Sequence, residues 1–189
     1  MSAASGLSGV PESFRAAIYE LKAAETRSEA VVEEIPAPAR LAPYAVALSA
    51  EIEEHMATGR FILLHDPEGQ ESWSGTFRVV IYIRAELEPE MGNDPLLASV
   101  AWTWLADSLA QHGVQHTQAG GTATRILSES FGSLETRVAS NDVELRASWT
   151  PVDTRFGAHL EAWADMVCSF AGLPPLPDGV VALPHLRRN

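Results

Sequence analysis

Lysine and cysteine are nearly missing from this 189-residue chain, which holds one of each, Lys22 and Cys168. A lone cysteine forms no internal disulfide, so an oxidising compartment offers this chain no stapling, and a cytoplasmic address is the expectation. A Gly-x-x-x-x-Gly-Lys-Ser/Thr phosphate cradle needs a lysine behind its glycines, and the one lysine lies in the first helical stretch. Gly-x-Ser-x-Gly is absent as well, and no His or Cys spacing suits zinc. Residues 1–10 have neither a basic start nor an apolar core of signal-peptide length, and no run approaches the ~18 apolar residues of a membrane span. Neither export by that route nor a place in the membrane is expected.

Acid is plentiful instead. Twenty-five Asp and Glu face 13 basic residues, 12 of them arginine, giving a net charge of −12. Residues 1–100 carry 16 acids and 7 bases, and residues 101–189 carry 9 and 6, so most of the field comes from the first half. Such a field repels phosphate backbones and anionic lipid, and direct nucleic-acid binding is not expected. With 46% hydrophobic and 20% charged residues the balance is that of one globular domain.

Residues 1–10 are small and polar and read as a tail; the domain spans 11–183, with a second tail at 184–189. Pro11 suits the first turn of a helix over about 11–24, whose Phe14, Ala17, Ile18 and Leu21 share one face. Residues 30–35 read as an edge strand, because Pro36, Pro38 and Pro43 follow and supply no backbone donor. Period-two alternation then marks strands from Tyr44 and from Arg60 to His65, with Asp66-Pro67-Glu68-Gly69 as the turn into a third strand over 76–88. Asp94-Pro95 and Gly113 bracket an apolar stretch, Leu96 to His112, expected to be the central buried helix. Gly120-Gly121 reads as a turn before strands at about 122–131 and 141–150. A last helix covers about 154–171, followed by a proline-rich tail in which Val180, Val181 and Leu183 are expected to pack on the body. Pro174 and Pro177 are spaced like a polyproline ligand, though a docked tail is the commoner use.

The expected fold is therefore α+β: a mostly antiparallel sheet of five to six strands with helices on one face, in the order α-β-βββ-α-ββ-α. That order resembles the type III secretion chaperone-like fold of small dimeric partner-binding proteins, apart from an additional strand before the set of three.

No catalytic group and no metal set stands out. Arg78, Tyr82, Arg84 and Glu86 alternate on one strand, with Arg125 and Glu129 on another and Glu144 and Arg146 on a third. This is a cross-paired solvated surface, or a partner-binding face enriched in Arg and Tyr. Trp73 lies in a polar loop, where an indole serves either as a partner anchor or as a cover for its own sheet edge. His65, Glu86 and Glu129 are the groups a pocket between sheet and central helix would use. Asp66 beside His65 reads as a turn cap, since neighbouring strand residues point to opposite faces. Glu86, Glu88 and Glu90 recur every second residue, but Pro89 breaks the ladder and nothing local completes a ligand set. His112 and His116 are four apart with Gly113 between them, so a helix C-terminus favouring protonated His112 outweighs a metal site. Cys168 reads as a buried, inert thiol. No cofactor is implied.

The segments 34–48, 59–70 (Gly-Arg-Phe-Ile-Leu-Leu-His-Asp-Pro-Glu-Gly-Gln), 84–91, 146–151 and 172–177 resemble an uncharacterised actinobacterial family, DUF3000-like, over about residues 11–181. The resemblance implies a cytosolic single-domain protein with no assigned activity, cofactor or catalytic residue. Relatives encoded near a ribonuclease D-like protein would place it as an accessory factor in RNA metabolism. The favoured reading is a non-enzymatic module that binds a protein partner or itself as a homo-oligomer such as a dimer, through the Arg/Glu sheet face or the Trp73 loop. A small-molecule binder or enzyme is the alternative.

Overall fold

The computed structural model describes residues 9–53 and 56–175. Expectations for residues 1–8, for the C-terminal Pro177, Val180, Val181 and Leu183, and for the tail 184–189 lie outside the described residues.

The alternating segments form one six-stranded antiparallel sheet in the order β1-β2-β3-β4-β6-β5. Its strands are β1 (Val31–Ile35), β2 (Tyr44–Ile52), β3 (Ala57–Gln70), β4 (Gly75–Leu87), β5 (His116–Ser128) and β6 (Ser140–Pro151). The helices are α1 (Glu12–Ala23), the short α2 (Pro89–Gly92), α3 (Leu97–Gln111) and α4 (Phe156–Phe170). Every second residue of β3, β4 and β6 meets the core: Phe61 and Leu63, then Val79, Ile81, Ile83 and Ala85, then Val143, Leu145, Ala147 and Trp149. The pattern of period two thus becomes one buried inner face under the helices and one open outer face.

The central helix is α4, not the segment 96–112 expected from its apolarity. Eleven of the fifteen residues of α4 are buried, against five in α3. Two glycines mark its close seat. A Cβ on Gly59 of β3 would stand 2.7 Å from Cζ2 of Trp163 and 2.8 Å from Cγ2 of Val167, so α4 rests directly on the bare backbone of the sheet. On its other flank, a Cβ on Gly157 would lie 3.1 Å from the Glu20 carbonyl of α1. In α3, Trp102 keeps 37% exposure at the sheet margin.

Two expected turns prove to be strand. Asp66-Pro67-Glu68-Gly69 lies within β3 as a bulge, where pairing with β4 shifts register between His65 and Gln70. Asp66 caps it as expected: Oδ1 accepts from the Glu68 N–H at 3.1 Å, and Oδ2 from Nε2 of Gln70 at 3.3 Å. The reversal itself comes at residues 71–74. Gly120-Gly121 sits inside β5, which starts six residues before the expected strand, with a register shift between Thr117 and Gly120.

Gly113 does close α3. At φ +62° it takes the left-handed conformation that glycine adopts without penalty. Its N–H donates to the Ala110 carbonyl and that of Val114 to Leu109, while Val114 itself is buried.

Just before that cap, His112 joins α3 to α4, with Nε2 at 2.8 Å from Asp165 Oδ2 and Nδ1 at 3.7 Å from Glu161 Oε2. The bond to Asp165 holds its pKa above the ordinary histidine value, against the opposing effect of burial. A group whose pKa rises on folding stabilises the fold below its unfolded pKa of about 6.5, and that contribution fades as pH climbs through the folded value. His112→Gln is therefore expected to cost about 1 kcal/mol near pH 6 and less near pH 9. Melting temperatures of both proteins across that range check it; a constant difference refutes the linkage.

Candidate partner-binding face

All four helices leave the outer face of the sheet uncovered, and strand register decides what shows there. One cross-strand row runs Ser49, Arg60, Tyr82, Arg146 and Thr122 from β2 to β5. Two residues further along, the next row runs Ala47, Ile62, Val80, Ser148 and Gly120. A third carries Leu64, Arg78 and Thr150. The middle row is short and mostly apolar and ends on a glycine whose Cβ position meets nothing. The face is therefore a trough with a low floor and arginines on both banks. Arg60, Ile62, Val80, Tyr82, Arg146 and Ser148 line a depression of roughly 620 Å³ on it, which Arg78 joins through its bond to Ser148. Tyr82 and Arg78 stand four residues apart on β4, so the banks are separated by about 13 Å.

The charges on the banks differ in how they are paired. Glu144 receives the Tyr82 hydroxyl at 2.8 Å, Nη2 of Arg146 at 3.2 Å and, more distantly, Nη1 of Arg84 at 3.8 Å. Arg84 also donates to Asp142 at 2.8 Å, a bond that raises its pKa. The Arg146 guanidinium lies 5.5 Å from the Tyr82 ring centroid, within cation–π range. Burial, followed by the bond to Glu144, pushes the Tyr82 phenol up.

Among the described residues Arg78 has hydroxyls alone. Nη1 donates to Thr150 Oγ1 at 3.0 Å and Nη2 to Ser148 Oγ at 2.7 Å, while Thr150 donates onward to the Trp73 carbonyl at 2.5 Å. With no carboxylate to offset it, burial lowers the Arg78 pKa. Arg60 is exposed and has no ion-pair partner among the described residues. The trough thus keeps two guanidiniums, Arg60 and Arg78, free of neutralising carboxylates, which is where an incoming carboxylate would be held.

Other candidates fall elsewhere. Arg125 pairs with Val143 and so belongs to the inner side of β5, where Nη1 reaches the Asp94 carbonyl at 3.1 Å. It is not part of the outer face, contrary to expectation. Trp73 is only 8% exposed, so its indole is tucked in at the hairpin end and does not project as an anchor.

His65, Glu86 and Glu129 do not share a pocket. His65 pairs with Phe77 at one end of β4 and Glu86 stands near the other end, nine residues on, while Glu129 lies beyond β5. His65 is a buried tie: Nδ1 donates to the Thr76 carbonyl at 2.9 Å, Nε2 meets the Ser13 hydroxyl at 3.0 Å, and the ring stacks 4.1 Å from Phe77. A separate cavity of about 520 Å³ does open between α3, the end of α4 and the end of β4. Met56, Leu87, Met91, Leu97, Trp104 and Phe170 line it, with Glu86 and Glu88 among its walls. Cys168 is fully buried, and burial pushes its thiol up to about 11. Among the described residues no three His, Cys, Asp or Glu side chains gather as a metal site, and no helix is long and apolar enough to cross a membrane.

Arg60 and the trough floor were not picked out from sequence, although the alternation of Arg60, Ile62 and Leu64 against Phe61, Leu63 and His65 carries the signal. What hid them was the need to know which strands lie side by side.

A family model described as a protein of unknown function, DUF3000, matches residues 10–181, and the chain belongs to that family. No curated protein and no solved structure matches, so the likeness to the type III secretion chaperone-like fold rests on element order alone.

Proposed function

We propose that this chain is a non-enzymatic binding module of the cytosol whose outer sheet face receives a protein partner. The trough carries the reading: an apolar floor left bare by every helix, with Arg60 and Arg78 on its banks lacking carboxylate partners. Interfaces favour Arg and Tyr around an apolar centre, and the half-buried Tyr82 under Arg146 fits that composition. A place in RNA metabolism would run through such a partner, because a net charge of −12 opposes direct contact with phosphate.

Val80→Glu tests the site by placing a charge on the floor without touching the core. Quantitative capture from native-host lysate is expected to lose the specific partner at least about tenfold with Val80→Glu, a change of about 1.4 kcal/mol. Glu20→Gln on the exposed side of α1 is expected to retain it. Equal capture by both variants refutes the site.

A second reading has its own observation, the 520 Å³ cavity beside Trp104. Its apolar walls suit the body of a small molecule, with Glu88 at its margin to meet a cationic end. Trp104 fluorescence titrated with long-chain alkylamines tests it; no saturable change in wild type removes it.

A further inference from the structure

We propose that β5 is a dimerisation edge, pairing antiparallel with β5 of a second copy about a two-fold axis at Thr124, so that two six-stranded sheets join into one. This edge is distinct from the arginine banks of the outer-face trough, which it borders at Gly120 and Gly121.

The two edges of the sheet are unlike. β1 is five residues long, carries Glu33 and Glu34, and is followed by Pro36 and Pro38, features that discourage another strand from adding. β5 runs for thirteen residues with no proline and one full charge, Arg125. No residue of β5 is fully buried, and among the described residues no strand pairs with its free side. A long, nearly uncharged free edge is a template for a further strand. It also belongs to the less acidic part of the chain, since residues 101–189 carry 9 acids and 6 bases.

Side chains fix the register. From Gly120 to Ser128 the strand pairs regularly with β6, beyond the irregularity near Gln118. An axis at Thr124 sets Thr124 against its own copy, Thr122 against Ile126, Ala123 against Arg125, and Gly121 against Leu127. No like charges then face each other, and the Thr–Thr and Thr–Ile pairs are ones that antiparallel strands favour. The last pair is the most telling. Leu127 is 62% exposed and would meet Gly121 of the other copy, where Trp102 already fills the place a side chain would take, its Cζ3 lying 2.9 Å from the Cβ position. Leu127 of one copy would thereby cover the exposed edge of Trp102 in the other. Phe131 and Val138, 78% and 90% exposed in the connection that follows β5, add apolar surface at the same hairpin.

Sedimentation of the full chain between about 10 and 100 µM is expected to show a dimer. Thr124→Glu and Thr124→Lys each set like charges on the axis and are expected to weaken it at least about tenfold, with circular dichroism melts confirming that both fold. Mixing the two is expected to restore the dimer, because Glu then faces Lys. Should Thr124→Glu fail to fold beside Glu144, its cross-strand neighbour, weakening by Thr124→Lys alone still carries the result. A wild-type chain that stays monomeric across the range, a dimer indifferent to both substitutions, or a mixture of folded variants that does not recover overturns the proposal.

Discussion

Trp163→Ala is expected to remove about 4 kcal/mol of stability and lower Tm by roughly 10 °C. The indole is fully buried at the centre of α4, 5.7 Å from the Phe61 ring, and lies against the bare backbone at Gly59. Truncation there loses the transfer free energy of a large aromatic and leaves a void bounded by a sheet that cannot close around it. The same contact read from the strand gives the opposite insult. Gly59→Ala places a methyl 2.7 Å from Cζ2 of Trp163 and should cost about 1–3 kcal/mol through overpacking. Trp163→Phe is expected to be milder than Trp163→Ala, since the indole Nε1–H is buried without an acceptor among the described residues and its removal leaves nothing unpaired. Combined with Gly59→Ala it should cost less than the sum of the two, because the smaller ring makes room for the methyl. Urea unfolding of the four variants reads all of this. Strict additivity would mean that α4 does not rest on Gly59.

How much of this was legible in the sequence divides along one line. Local chemistry read well: Pro11 opens α1, Gly113 ends α3, Asp66 caps its bend, and the alternation at 77–87 and 143–149 faces the core as expected. Sequence also gave a sound reason to treat Cys168 as inert, since its apolar neighbours signalled burial. What it obscured was adjacency. Leu96 to His112 is apolar enough to be a central helix, and it takes the contacts at Gly59 beneath α4 and at Gly157 within it, together with the eleven buried residues of α4, to show that α4 holds that place. Asp66-Pro67-Glu68-Gly69 has every residue of a turn, yet the long pairing of β3 with β4 overrides it as a bulge. The same limit governed the site. Arg78, Tyr82, Arg84 and Arg146 face outward as their alternation requires, but that Arg78 meets only hydroxyls among the described residues and that Arg60 borders the same trough depends on which strands are neighbours. Arg125 shows the cost of that missing information, because a strand starting six residues earlier, with an irregularity near Gln118, leaves its side chain on the inner face.

Below pH 6.5 the fold is expected to lose about 3 kcal/mol by pH 4 through one residue, His159. Its ring is fully buried in α4, stacks on Trp149, and accepts the Trp149 Nε1–H at Nδ1 over 2.8 Å. Burial pushes its pKa down to about 4, and nearby His116 and Arg155 push the same way against Asp153. The unfolded chain therefore takes up a proton near 6.5 while the native state refuses it until about 4, so stability falls across that window and levels off below it. His112 runs the other way, gaining as pH drops toward 6.5, and the pair together set a stability maximum near pH 6.5. His159→Asn isolates the effect. Its carboxamide oxygen can replace Nδ1 as the acceptor for Trp149 without titrating, so the variant should be less stable at neutral pH from lost volume, yet shed the part of the acid loss that carboxylates do not explain. Urea unfolding of both proteins from pH 7 to 4 decides the matter: parallel curves would show that His159 is not the group that titrates, while curves that converge toward pH 4 would identify it.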